Sequence, residues 1–205
     1  MSLDFFEVIK SRRSVKYYNE NKKIPADKIL EMLNLANSAP SFCNFQPWRY
    51  IVVSSEEGKS KLLNANYNTV QNETSSAVII LLGDMNYIDK FHDIYGSAVE
   101  KGYMPADVKE DMQISMEALV ESMPKETKRE IIFYDCGLWS MQFCNIARAE
   151  GYDTNILGGF DKEKLIELFD ISENLTPIML ISIGEKDKEG RETTRLLAEE
   201  LVEFK

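Results

Sequence analysis

The chain has 205 residues, 44% of them hydrophobic and 28% charged, with a formal net charge of −10. That size can bury a real core, while the acidic balance argues against nucleic acid or an anionic membrane as partner, since both select for clustered Lys and Arg. Three cysteines (Cys43, Cys136, Cys144) without a CxxC pair and one histidine, His92, argue against a disulfide framework, thiol catalysis and a metal site.

The first residues carry no basic n-region, and nowhere do eighteen apolar residues run together. Neither a secretory signal nor a membrane span is expected, which implies a cytoplasmic protein. Residues 3 to 11 place Phe5, Phe6, Val8 and Ile9 on a helical face, with Asp4 and Glu7 early and Lys10 late, as a helix dipole prefers. Between positions 10 and 23 six basic residues then stand against one acid, Glu20, opposing the sign of the whole chain.

Val15, Lys16, Tyr17 and Tyr18 suggest an extended segment, whose two-residue period sets Arg12, Ser14 and Lys16 on one side and Arg13 on the other. A guanidinium fork, a hydroxyl and an ammonium on one edge can hold a phosphate-bearing ligand. A solvated basic turn is the other reading of these residues alone.

After Pro25, Ile29, Leu30, Met32, Leu33, Leu35 and Ala36 repeat at helical spacing up to Ala39 and Pro40. Residues 39 to 48 form a proline-stiffened loop that can present Ser41 and Asn44 hydrogen-bonding groups, with Phe45 and Trp48 read as core plugs. A strand is expected over 49 to 53 and a helix over 59 to 65. The amide cluster 66 to 72 can face a heteroaromatic ring edge, cap a helix or face water.

Residues 77 to 82 are apolar on successive positions, the pattern of a strand buried on both faces of a helix-covered sheet. Residues 86 to 130 read as a solvated helical excursion, in which Met104, Met112, Met116 and Met123 could form an adaptable lid. A helix over 131 to 150 carries apolar residues on several faces, implying burial in a core or at a subunit interface, with Cys136 and Cys144 as small hydrophobes.

Residues 151 to 155 end that helix, and Gly158 and Gly159 precede another over 162 to 169 with Asp161 as N-cap. Paired glycines before a helix can expose backbone N–H groups to a ligand or simply turn the chain. A second buried strand covers 177 to 183, a polar loop covers 186 to 192, and an acidic tail follows. No repeat, linker or domain boundary interrupts the sequence, so one domain over 1 to 205 is expected.

Arg-Arg-Ser-Val-Lys at 12 to 16, Ala-Pro-Ser-x-x-Asn-x-Gln-Pro-Trp at 39 to 48, Gly-Tyr-Asp-Thr at 151 to 154 with Gly-Gly-Phe at 158 to 160, and Thr-Arg-Leu at 194 to 196 follow one another in order. Together they resemble the nitroreductase family of FMN-dependent oxidoreductases. The resemblance implies an α+β fold, a mostly antiparallel central sheet surrounded by helices, in an intertwined homodimer with two FMN sites at the interface. It assigns Arg12, Ser14 and Arg195 to the phosphate side, Lys16 to the pyrimidine edge of the flavin near N1 and O2, and Asn68 and Gln71 to the flavin ring. The backbone of Gly158 and Gly159 falls near N5 and O4, and Pro40, Ser41, Phe42 and Asn44 come from the partner subunit.

No side chain is assigned as catalytic acid or base, and Lys16 tunes the flavin electrostatically. Phe42, Gln71, Thr193 and Leu197 depart from residues common in the family. The activity implied is hydride transfer from NADH or NADPH, a transient co-substrate, to a nitroaromatic or quinone acceptor by a ping-pong cycle. The alternatives are a narrower flavin reaction, such as enone reduction or reductive dehalogenation, and a flavin-binding sensor with little turnover. The absence of a GxGxxG signature agrees with a nicotinamide that binds only in passing.

Overall fold

The computed structural model describes residues 4–205. Its centre is the strand expected from the unbroken apolar run: β2 (Ala77–Asp84), buried at all eight positions. It lies between β1 (Trp48–Val53) and β4 (Leu175–Gly184), and β3 (Asp153–Leu157) closes the far edge, giving the order β1-β2-β4-β3. Every pairing is antiparallel, with Ile51 opposite Ile80 and Ile79 opposite Ile181.

The two-residue period of β2 splits the core in two. Ile79 and Leu81 face one layer with Ile181 and Ile183, while Val78, Ile80 and Leu82 face the other with Leu180. The first layer is covered by α2 (Ala26–Ala36) and α7 (Lys125–Ala149), the second by α3 (Glu56–Leu62) and α8 (Lys162–Phe169). The remaining helices are α1 (Phe5–Ser11), α4 (Thr69–Thr74), α5 (Phe91–Glu100) and α6 (Ala106–Ser122). None is long and apolar enough to cross a membrane.

α7 packs against all four strands as well as α1 and α2, which accounts for its apolar residues on several faces. Cys136 and Cys144 are buried in it. Trp139 stacks on Phe143 at 5.5 Å and on Tyr50 at 5.3 Å. Asn37, just past α2, accepts from the indole N–H of both Trp48 and Trp139 at 3.0 Å. β2 passes under α7 at Gly83, where a Cβ would run into Ile132 Cγ2. Gly83→Ala is therefore expected to cost about 1–3 kcal/mol by overpacking, read as a lower urea midpoint; an unchanged midpoint would show that Ile132 can move aside.

Several boundaries differ from those read in the sequence. α7 starts at Lys125 rather than 131, because Pro124 has the extended backbone of an N-cap and the charged first turns hide the apolar period. The excursion is α5 and α6 after a short 3-10 turn, and Met104, Met112 and Met116 pack onto the core instead of standing free. The amide cluster contains α4, and residues 153 to 157, read as the end of one helix and the approach to the next, are β3. The start of the first helix at Leu3 lies outside the described residues; Asp4 caps it, its Oδ1 accepting from the Phe6 N–H at 2.8 Å.

Candidate functional site

The basic segment leaves α1 through Arg12, whose N–H still bonds Val8 and whose backbone is extended. Val15, fully buried, anchors the stretch by donating its N–H to Thr154 O at 3.1 Å, and Ser14 bridges Thr154 in parallel. The alternation then turns Ser14 and Lys16 outward. Arg148, from the last turn of α7, braces the approach: its Nε donates to Ser11 Oγ at 3.0 Å and its Nη1 meets Asp153 Oδ1 at 3.2 Å. Burial pushes the Asp153 carboxyl above its ordinary range, with Arg148 opposing that.

Arg12, Ser14 and Lys16 open onto a cleft of about 780 Å³ whose other wall includes Gly190, Arg191, Thr193 and Arg195. Arg12 and Arg195 are 183 positions apart in the chain and line one cavity. Neither forms an ion pair among the described residues. Arg13 also touches the cleft, but its Nη1 is turned back onto the carbonyls of Lys10, at 2.6 Å, and Arg12. The single acid in the lining, Glu189, is held by Lys186 at 2.9 Å, which lowers its pKa.

β3 carries the site onward. Thr154 holds the basic strand, and four residues later the same strand delivers Gly158 and Gly159, a span of about 13 Å at strand rise. A Cβ on Gly158 would meet nothing within 4 Å, so that backbone is open to a ligand. Asn68, preceding α4, donates its Nδ2 to Gly159 O at 3.1 Å and to Asn66 Oδ1 at 3.2 Å. Both amide hydrogens are thus used, leaving Oδ1 as the group Asn68 can offer. Gln71 lies one turn on and is buried.

The loop over 40 to 46 is brought elsewhere. Pro40 lines a shallow surface along α7 with Tyr134, Leu138 and Met141. Ser41 Oγ accepts the Gln46 N–H at 3.0 Å, and Gln46 Nε2 donates to Asn44 Oδ1. The Phe42 N–H points at Asp135 of α7, with both carboxylate oxygens within 3.2 Å. One subunit therefore gathers Arg12, Ser14, Lys16 and Arg195 in one cleft and Asn68 with Gly158 and Gly159 in a second cluster, while Pro40, Ser41, Phe42 and Asn44 form a third.

Arg191 and Asp135 were not singled out in the sequence. Each carries a signal: Arg191 stands four positions before Arg195 among acids, and Asp135 is a lone acid in an apolar stretch of α7.

The nitroreductase family model matches residues 9–185. The Bacillus subtilis protein YdgI, provisionally named an NAD(P)H nitroreductase, is 45% identical over 98% of this chain and 98% of its own length. The chain belongs to the nitroreductase family. Within that family it is 30% identical to the CLA biosynthesis enone reductase of Lactiplantibacillus plantarum, over 98% of this chain and 94% of that one. A crystal structure from Exiguobacterium sibiricum, of a protein provisionally named a nitroreductase and solved with FMN, superposes with a TM-score of 0.97 at 41% identity, covering 100% of this chain and 99% of that one. The α+β architecture with an antiparallel sheet is thus that of the family's solved structures.

Proposed function

We propose that this chain is an FMN-dependent oxidoreductase that moves hydride from NADH or NADPH to a nitroaromatic or quinone acceptor in a ping-pong cycle, as an intertwined homodimer in the cytoplasm. The observation that carries the reading is the cleft where Arg12, Ser14, Lys16 and Arg195 converge, in a chain that belongs to the nitroreductase family.

The residues fit FMN. Two guanidinium forks and a hydroxyl match a phosphate dianion, and about 13 Å of strand separates Thr154, which holds the basic segment, from an open glycine backbone suited to a planar ring. Bound there, FMN would supply the hydride-accepting and hydride-donating chemistry that no side chain offers.

Arg12 and Arg195 would offset the phosphate charge, and Ser14 would donate its hydroxyl proton to a phosphate oxygen. Lys16, on the same edge, is a point charge for stabilising negative charge on the reduced ring. Gly158 and Gly159 would present backbone N–H groups where any Cβ would hold the ring off, and Asn68 Oδ1 would accept from a ring N–H.

Supporting the homodimer is what one copy leaves uncovered. Phe5 and Phe6 on α1 are 65% and 66% exposed, residues 191 to 205 are exposed throughout, and the tail carries Leu196, Leu201 and Phe204, the last 90% exposed. An apolar surface of this kind needs a covering partner, and a second copy would also bring the loop over 40 to 44 to the flavin. One such unit spans the chain, the excursion included.

The enone reductase relative favours a second reading, reduction of an enone acceptor by the same residues. Stopped-flow mixing tests both. The purified protein is expected to show flavin absorption that bleaches with NADH or NADPH and returns with a quinone, nitroaromatic or enone. A protein that binds FMN and bleaches with neither nucleotide would be a flavin-binding module instead. Dilution to the monomer is expected to release FMN; a yellow monomer would contradict the shared site.

A further inference from the structure

The carboxylate of Asp135 is 1% exposed in an apolar stretch of α7. It forms no ion pair among the described residues, and Arg49, the basic residue of β1, is committed to Asp84 at 2.9 Å. The titratable groups around it are neutral ones: Cys43 on the loop, Tyr87 beside β2, and Tyr134 and Cys136 on α7 itself. Its single hydrogen-bond donor among the described residues is the Phe42 N–H, at 3.0 Å from Oδ2 and 3.2 Å from Oδ1. A buried carboxylate without a cation is costly, and a neutral acceptor would close the same corner more cheaply. The charge therefore asks for a role.

The loop it holds is strained. Four non-glycine residues have positive φ among the described residues, and three are here: Cys43 at 46°, Asn44 at 53° and Gln46 at 49°. Its other ties are Tyr95 Oη donating to Cys43 O at 2.7 Å and Arg49 Nη1 donating to Gln46 O at 2.9 Å. Both grip carbonyls, whereas Asp135 alone among the described residues grips a loop N–H from outside the loop. A loop held away from its relaxed conformation needs strong ties, and a charge-assisted one is the strongest available.

We propose that Asp135 is a positioning residue: its ionised carboxylate holds the Phe42 amide and so sets the 41–46 loop as a wall of the acceptor site in the partner subunit. The part about the acceptor rests on the FMN-dependent homodimer reading; the anchor does not. Burial pushes the Asp135 pKa up to about 6, with the Phe42 N–H opposing. The anchor is thus at full strength above that pH and weakens as the pH falls through it.

Two measurements on the full-length holoenzyme test this. Hydrogen exchange at the Phe42 amide, corrected for its intrinsic pH dependence, is expected to lose roughly 10- to 100-fold of its protection below pH 6, the size of one charge-assisted bond. Asp135→Asn should show the low-pH value at every pH. With NADH and p-benzoquinone, and with rates read per bound flavin, the same variant is expected to raise KM for the quinone several-fold and flatten its dependence around pH 6.

Protection that ignores both pH and the substitution overturns the anchor. Protection that falls while the quinone KM and its pH profile stay put overturns the wall. A wild-type protein that takes up no flavin refutes the proposed function instead, and the exchange data still decide the anchor. Wild-type titration needs no variant, so a misfolded Asp135→Asn does not spoil the test.

Discussion

Combining Arg12→Ala with Arg195→Ala is expected to yield a colourless protein, purified without flavin. Both side chains line one cleft, and neither is held by an acid of this chain among the described residues. A hydrogen bond to a charged partner contributes about 1.5–3 kcal/mol. Losing two weakens FMN binding by about 3–6 kcal/mol, or roughly 10²- to 10⁴-fold. Each single variant should retain partial colour. Arg13→Ala should stay yellow, because Arg13 follows Arg12 on the opposite side of the extended segment and its Nη1 is shared by two carbonyls, whereas Arg195 Nη1 is engaged, among the described residues, only by the neighbouring Thr194 O at 2.7 Å. Isothermal titration of FMN into the stripped proteins reads the difference; full occupancy in the double variant would move the phosphate site elsewhere.

The largest effect on stability is expected for Trp139→Ala, at about 3–5 kcal/mol. Trp139 is fully buried between Phe143 and Tyr50, and its indole N–H shares Asn37 Oδ1 with Trp48. Truncation empties the space between α7 and β1, and close-packed neighbours can only partly collapse into it. For a chain of this length each kcal/mol shifts the melting temperature by roughly 2–4 °C, so calorimetry should find a drop of roughly 6–20 °C. A loss below about 1 kcal/mol would show that Tyr50 and Phe143 close the gap.

The sheet's centre was legible because β2 is apolar at successive positions, a pattern that needs no knowledge of its partners. β3 was not legible. Its Asp153, Thr154 and Asn155 are polar, as in a turn, yet all three are buried. Asp153 is paired with Arg148, and the carbonyls of Thr154 and Asn155 accept from Val15 N–H and Ser182 Oγ. Val15 and Ser182 come from distant segments, and Arg148 reaches back from the preceding helix, so local composition points the wrong way.

The same holds at the site. Arg12, Ser14 and Lys16 could be placed on one edge from their spacing alone, but nothing local joins Arg12 to Arg195. That link came from resemblance to a family, and the structure adds Arg191 to the same wall.

The strand order has a consequence for synthesis. β4, which separates β2 from β3, ends at residue 184, a hundred residues after β2 ends at residue 84. At roughly 5–20 residues per second, the ribosome leaves the inner edge of β2 without its neighbour for roughly 5–20 s. During that interval an eight-residue apolar strand has one open edge, a template for pairing with another nascent chain. Among the described residues, β3 has no sheet partner but β4, and Ser14 has no bridge but Thr154. The cleft that Arg12 and Arg195 line therefore forms only after β4 has been made, long after Arg12 itself has emerged.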